Sequence, residues 1–220
     1  MYISIEGVIG VGKTTLARLL QPAFQADLLL EVFEENPFLS DFYGDRERYA
    51  FQTQIFFLLS RYHQQREATK KVKKVSREAR NILISDYTFE KDALFARINL
   101  RGDELETYHR VHAALAEKIP PPDLIVYLKA STDVLMDRIA LRDRPYERSI
   151  ERGYIEQLNL AYEEHFNDHR GTSPVLVIDT DDRDFVRSGE HLKWLENRLR
   201  QALKLPPFQR ELPLDLKSRA

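Results

Sequence analysis

Tyr2-Ile3-Ser4-Ile5-Glu6-Gly7-Val8-Ile9-Gly10-Val11-Gly12-Lys13-Thr14-Thr15 runs from a short apolar alternation through a glycine-rich turn into a lysine-threonine pair. Residues 7–14 fit the pattern G-x-x-x-x-G-K-T, and a strand before the loop with a helix after it is the context this pattern requires. Gly7, Gly10 and Gly12 allow the tight backbone turn that aims amide N–H groups at phosphate oxygens, and the following helix adds its positive end. Lys13 is expected to bridge the terminal phosphates and the Thr14 hydroxyl to ligate Mg²⁺. ATP is thus expected on Gly7, Gly10, Val11, Gly12, Lys13, Thr14 and Thr15. The loop names a triphosphate donor but no acceptor.

Outward from the loop, apolar runs at residues 2–5, 28–32, 81–85, 124–128 and 175–178 read as five strands. Helical spacing occupies residues 14–24, 46–80 (as two helices or one broken helix), 90–98, 103–118, 132–141, 151–169 and 185–203. Strands alternating with helices predict an α/β fold with a parallel sheet covered on both faces. The prolines at 120–122 fix an extended connector before the fourth strand. A chain of 220 residues with 43% hydrophobic content suits one domain, expected over residues 1–205, with a proline-bearing tail at 206–220.

Charge and composition narrow the partners. Thirty-three Lys and Arg against 35 Asp and Glu give a net charge of −2, which removes the broad positive field of a nucleic-acid binder. The basic run at residues 70–74, followed by Arg77, Glu78 and Arg80, reads as a solvated helix face. Without cysteine there is no disulfide, thiolate nucleophile or zinc-thiolate cluster, and the six histidines lack the carboxylate pattern of a metal motif. Met1 enters the first strand directly and no apolar run is of membrane-spanning length, so a cytoplasmic protein without a membrane partner is expected.

Beyond the loop, the stretch Glu31-Val32-Phe33-Glu34-Glu35-Asn36-Pro37-Phe38-Leu39, the pair Phe42-Tyr43, the segment Phe51 through Arg61 and the run Arg138-Ile139-Ala140-Leu141-Arg142-Asp143-Arg144-Pro145-Tyr146-Glu147 resemble the deoxynucleoside kinase family, especially its bacterial deoxyadenosine and deoxyguanosine branch. The resemblance covers nearly the whole chain and implies a P-loop kinase fold with an arginine-rich lid. It also implies transfer of the γ-phosphoryl of ATP to a deoxynucleoside 5′-hydroxyl. By this likeness Glu31 is the general base, a placement that a strand-end carboxylate supports independently, with Glu34 and Glu35 as rivals. Gln54 falls on the base, with Gln52 as a rival, because an amide offers one donor and one acceptor to a base edge. Tyr43 and Glu147 meet the sugar 3′-hydroxyl, and Phe56 and Phe57 are candidates for stacking or core.

Asp86 closes the third strand near the expected Mg²⁺. Many members of the family follow that acid with arginine and serine, but here Tyr87 and Thr88 follow, so another cation must hold the phosphate or the catalytic carboxylate. Asp92 matches the acidic residue of the base pocket, which would pair with Arg61. Arg138, Arg142 and Arg144 are spaced to converge on one polyanion. Residues 154–163 carry packing-helix spacing and no assigned chemistry. The resemblance further implies a homodimer, to which the aromatic-rich helix from Tyr49 contributes. Alternative readings are a nucleoside-monophosphate kinase, which needs cations at the acceptor phosphate, and a nucleotide-dependent regulatory module without turnover.

Overall fold

The computed structural model describes residues 1–74, 81–167 and 172–206. Five parallel strands, β1 (Tyr2–Glu6), β2 (Asp27–Leu29), β3 (Leu83–Ser85), β4 (Leu124–Lys129) and β5 (Val175–Asp179), form one sheet in the order β2-β3-β1-β4-β5. The central strand β1 pairs Ser4 with Ser85 of β3 on one side and with Ile125 of β4 on the other. It is buried along its whole length, as a strand covered on both faces must be. Ile3, Ile5, Ile84 and Val126 are fully buried, each contributing about 1.5–3 kcal/mol of apolar burial.

The helices are α1 (Lys13–Phe24), α2 (Leu39–Gly44), α3 (Arg46–Lys74), α4 (Lys91–Asn99), α5 (Gly102–Ala116), α6 (Thr132–Arg142), α7 (Arg152–Asn167) and α8 (Gly189–Ala202). Short 3₁₀ turns occupy Phe33–Glu35 and Pro145–Glu147. From β1 the chain leaves first to the β2 and β3 side and then crosses to β4 and β5, so its direction reverses at β1. Loops after strands that flank such a reversal enclose a crevice at the carboxyl edge of the sheet. The phosphate loop, Glu31 and Asp86 follow β1, β2 and β3 at that edge.

Two expectations change. The region from residue 46 is one unbroken helix to Lys74, rather than two or a broken one, because it contains neither Gly nor Pro to interrupt the i→i−4 ladder. The second strand stops at Leu29, so Glu31 stands beyond the ladder on a free connector before the 3₁₀ turn. The basic run enters the last turn of α3, where Lys70 pairs with Glu67 at 2.9 Å; Arg77, Glu78, Arg80, His169 and the tail from residue 207 lie outside the described residues. No helix among the described residues is long and apolar enough to cross a membrane.

Candidate active site

The phosphate loop is held by backbone that only glycine adopts easily. Gly7 has φ 145°, and a Cβ there would stand 2.5 Å from the Leu128 carbonyl oxygen of β4 and 2.9 Å from Val11 Cγ1. Gly10 has φ 89°, and its Cβ would meet Ile139 Cγ1 at 2.8 Å and the Leu135 carbonyl at 2.9 Å, so the loop rests on α6. Gly7→Ala is expected to lose roughly 1–3 kcal/mol through strained backbone alone, with weakened ATP binding as the loop shifts. Thermal melting and ATP titration check this, and wild-type values for both would show that the loop tolerates the Cβ.

Lys13, the first residue of α1, folds back so that its Nζ donates to the carbonyls of Gly7 at 2.7 Å and Val8 at 3.1 Å. Burial first, and then the nearby Lys91, lower its ammonium to about 8. Neighbouring carboxylates oppose the shift. Two cations held close together on a cavity wall are electrostatically suited to a polyanion.

Glu31 is clamped from two sides. Arg61 Nε donates to its Oε1 at 2.8 Å and Arg61 Nη2 bonds the same oxygen, while Lys91 Nζ donates to Oε2 at 2.8 Å. Burial alone would raise the Glu31 carboxyl, but Arg61 and Lys91 outweigh it and hold the group ionised well below the usual carboxylate range. Its backbone N–H donates to Asp86 Oδ1 at 2.8 Å, and Asp86 Oδ2 accepts from the Thr14 hydroxyl. The rival carboxylates Glu34 and Glu35 are exposed on the 3₁₀ turn.

Tyr87 does not replace the expected arginine. Its side chain turns into a small core with Tyr2, Leu29 and Leu83, and its hydroxyl donates to Gln64 Oε1 at 2.9 Å. The cations at Glu31 are Arg61 and Lys91. Lys91 escaped the sequence reading because it stands 60 residues from Glu31 and forms no motif with it.

Helix α3 forms the opposite wall. Gln54 is buried on the cavity with its Oε1 lacking a hydrogen-bond partner, whereas Gln52 is exposed. Phe57 lines the cavity under the Arg61 guanidinium, whose carbon sits 4.6 Å from the ring centroid; Phe56 does not line it. Arg61 also pairs with Asp92, which is fully buried behind it and does not reach the cavity wall. The expected pairing of Asp92 with Arg61 is present, and it is Arg61 rather than Asp92 that reaches the cavity wall. Tyr154, given no chemistry above, does reach the wall, and its hydroxyl accepts from Asn99 Nδ2 at 3.1 Å.

The three arginines divide. Arg142 and Arg144 both meet Glu147, at 2.5 Å from Arg142 Nη2 and 3.5 Å from Arg144 Nη1. Asp143 ends α6 in left-handed backbone (φ 48°), turning the chain so that Arg144 lies over the Phe33 ring at 4.2 Å. Arg138 instead donates to the Thr180 carbonyl at 2.7 Å, its hydroxyl at 3.0 Å and the Val11 carbonyl of the phosphate loop at 3.5 Å, and does not line the cavity. Its i,i+4 relation to Arg142 aligned the residues on one helix, but the end of β5 offers Arg138 nearer acceptors. Tyr43 and Tyr146 stack with centroids 6.4 Å apart, and burial raises the Tyr43 hydroxyl well above its usual range, so it stays a neutral donor.

These walls enclose a cavity of about 410 Å³ open to the phosphate loop. Gly10, Gly12, Lys13, Thr14 and Thr15 of the loop line it together with Glu31, Tyr43, Gln54 and Glu147, whereas Gly7 and Val11 do not. Thr14 and Asp86 oxygens meet beside Lys13, a pair of hard donors that fits Mg²⁺.

Residues 3–204 match the family model described as deoxynucleoside kinase. The chain belongs to the deoxynucleoside kinase family. This kinase is 38% identical over 188 residues to a deoxyguanosine kinase of Bacillus subtilis, covering 84% of this chain and 89% of the relative. It is 34% identical over 182 residues to a deoxyadenosine kinase of Dictyostelium discoideum, covering 80% and 71%. Among solved structures it is similar to the deoxyadenosine kinase of M. mycoides with bound dCTP, at TM-score 0.77 and 27% identity over 91% of this chain and 100% of that one. The five-stranded parallel sheet flanked by helices is the P-loop kinase fold, and the chain is an ATP-dependent kinase of deoxynucleosides.

Proposed function

We propose that this kinase transfers the γ-phosphoryl of ATP to the 5′-hydroxyl of a purine deoxynucleoside, deoxyadenosine or deoxyguanosine, in nucleotide salvage. The observation that carries this reading is the charge balance in the acceptor half of the cavity: Arg61 and Lys91 are matched by the carboxylates of Glu31 and Asp92. A charged acceptor phosphate would need an excess of positive charge there, so this balance favours an uncharged hydroxyl over a nucleoside monophosphate. The buried, unpartnered Oε1 of Gln54 supports a base-edge partner on the same wall.

In this reading a lone pair of the 5′-oxygen forms the new bond to the γ-phosphorus while the bond to the β,γ-bridging oxygen breaks. ADP leaves with that electron pair, and the hydroxyl proton passes to Glu31. Lys13, Arg142 and Arg144 neutralise charge on the transferring group. Arg138, bound to Thr180, braces α6 against the end of β5. Tyr43 and Glu147 hold the 3′-hydroxyl, and Thr14 and Asp86 would hold Mg²⁺, which would supply positive charge to the phosphates. The protein acts in the cytoplasm with ATP and a deoxynucleoside as its small-molecule partners. We place it in a homodimer to which α3 contributes, where Leu59 is exposed, and sedimentation as a monomer would contradict that assembly.

Purine preference rests on the names of the relatives, a deoxyguanosine kinase and a deoxyadenosine kinase. Competition among the four deoxynucleosides at limiting concentration with ATP should yield deoxyadenosine or deoxyguanosine 5′-monophosphate first. Preferential phosphorylation of deoxycytidine or thymidine would remove the purine assignment, and phosphorylation of monophosphates alone would remove the whole reading.

A further inference from the structure

Lys91 is a buried cation with an anchored backbone and an incompletely used head group. Its own N–H donates to Thr88 Oγ1 at 3.2 Å, and the Thr88 hydroxyl donates to Glu6 Oε1 at 2.8 Å. Glu6, itself buried, takes the Gly7 N–H on Oε2 at 3.3 Å and also the Tyr162 hydroxyl at 3.2 Å. One carboxylate thus ties the start of the phosphate loop to the start of α4, so the positions of Lys13 and Lys91 are set relative to each other. The Lys91 side chain is 6% exposed, lines the cavity, and has Nζ 5.5 Å from the Phe95 ring centroid.

An ammonium carries three N–H donors, and the hydrogen bond of Lys91 Nζ to Glu31 Oε2 uses one of them. Among the described residues no other acceptor takes the remaining two. Arg61 already holds Oε1 of Glu31, so Lys91 does more than neutralise that carboxylate. It also repels Lys13, an unfavourable arrangement that an anion between them would relieve.

Resting on the kinase reading above, we propose that Lys91 is a second cation of the phosphoryl-transfer centre. It pins Oε2 of Glu31 and presents its remaining N–H groups to the γ-phosphoryl as that group moves from the bridging oxygen of ATP to the acceptor oxygen. The hydroxyl proton goes to Glu31. This supplies, from the first turn of α4, the cation that Tyr87 does not provide.

Lys91→Gln keeps a polar side chain beside Glu31, which remains paired with Arg61. It should lower kcat by roughly 10²–10³ with both Michaelis constants within about threefold of wild type, as expected for charge stabilisation confined to the transition state. Lys91→Ala leaves space for an amine, so added propylamine in its ammonium form should restore at least about tenfold of the lost rate, whereas propanol should not. A kcat for Lys91→Gln within about threefold of wild type, a loss residing in KM, or an alanine variant indifferent to amine would each overturn the proposal. Wild-type protein assayed in parallel separates the two ideas: if it phosphorylates no deoxynucleoside the kinase reading fails, and if it is active while Lys91→Gln matches it only the role of Lys91 fails.

Discussion

Glu31→Gln is expected to lower kcat by roughly 10²–10⁴ while ATP binding stays close to wild type. Glutamine retains the shape of the side chain but has one carbonyl oxygen, which can accept from Arg61 or from Lys91 while its NH₂ faces the other, and the amide cannot take the acceptor proton. The two cations keep the native carboxylate ionised, so it is ready to accept the proton without first losing one. Their presence also weakens it as a base, and its contribution then rests on orienting the hydroxyl as much as on removing its proton. Glu31 makes no hydrogen bond to the phosphate loop, which is why the loss should appear in turnover. Steady-state and single-turnover rates with ATP and the preferred deoxynucleoside measure it. A kcat within about tenfold of wild type would dismiss Glu31 as the base. Glu34→Gln, at an exposed site on the next turn, should leave kcat unchanged and serves as the control.

Arg61→Met should destabilise the fold by about 3–5 kcal/mol, the cost of removing one partner from a buried ion pair. Asp92 is fully buried and Arg61 is its cation, so methionine leaves a carboxylate with neither water nor a counter-charge. Glu31 suffers less because Lys91 remains on Oε2. For a domain of this size the loss corresponds to a melting temperature lower by roughly ten degrees. Adding Asp92→Asn to Arg61→Met removes the stranded charge and should recover part of the loss. Chemical denaturation of the two variants decides the matter. Equal stability of single and double variants would show that the cost does not come from Asp92. Activity should fall in both, since Glu31 loses the contact that fixes Oε1.

Much of the donor half was legible in the chain because its geometry is local. β1, the glycine turn and Lys13 are consecutive, and alternation, φ preference and helix start act within a few residues. The α/β class followed from the same short-range periodicity, and all five strands lie where the apolar runs stand, with ends shifted by a few residues. The acceptor half was legible only in part. Gln54 and Gln52 are equally good amides in sequence, and burial on the cavity side of α3 distinguishes them. Arg138 and Arg142 share helical spacing, yet Thr180 binds the first and Glu147 the second.

By itself, then, the sequence determined a parallel α/β chain with a triphosphate loop, a carboxylate after the second strand and an acid after the third. Tertiary structure decided which charges meet. Glu31, Arg61 and Lys91 come from a connector and two helices, the first two 30 positions apart in the chain and Glu31 and Lys91 60 apart. Their pairing depends on how α3 and α4 pack across the sheet edge, because Coulomb energy in a buried site depends on spatial distance and desolvation, and neither is a property of sequence spacing.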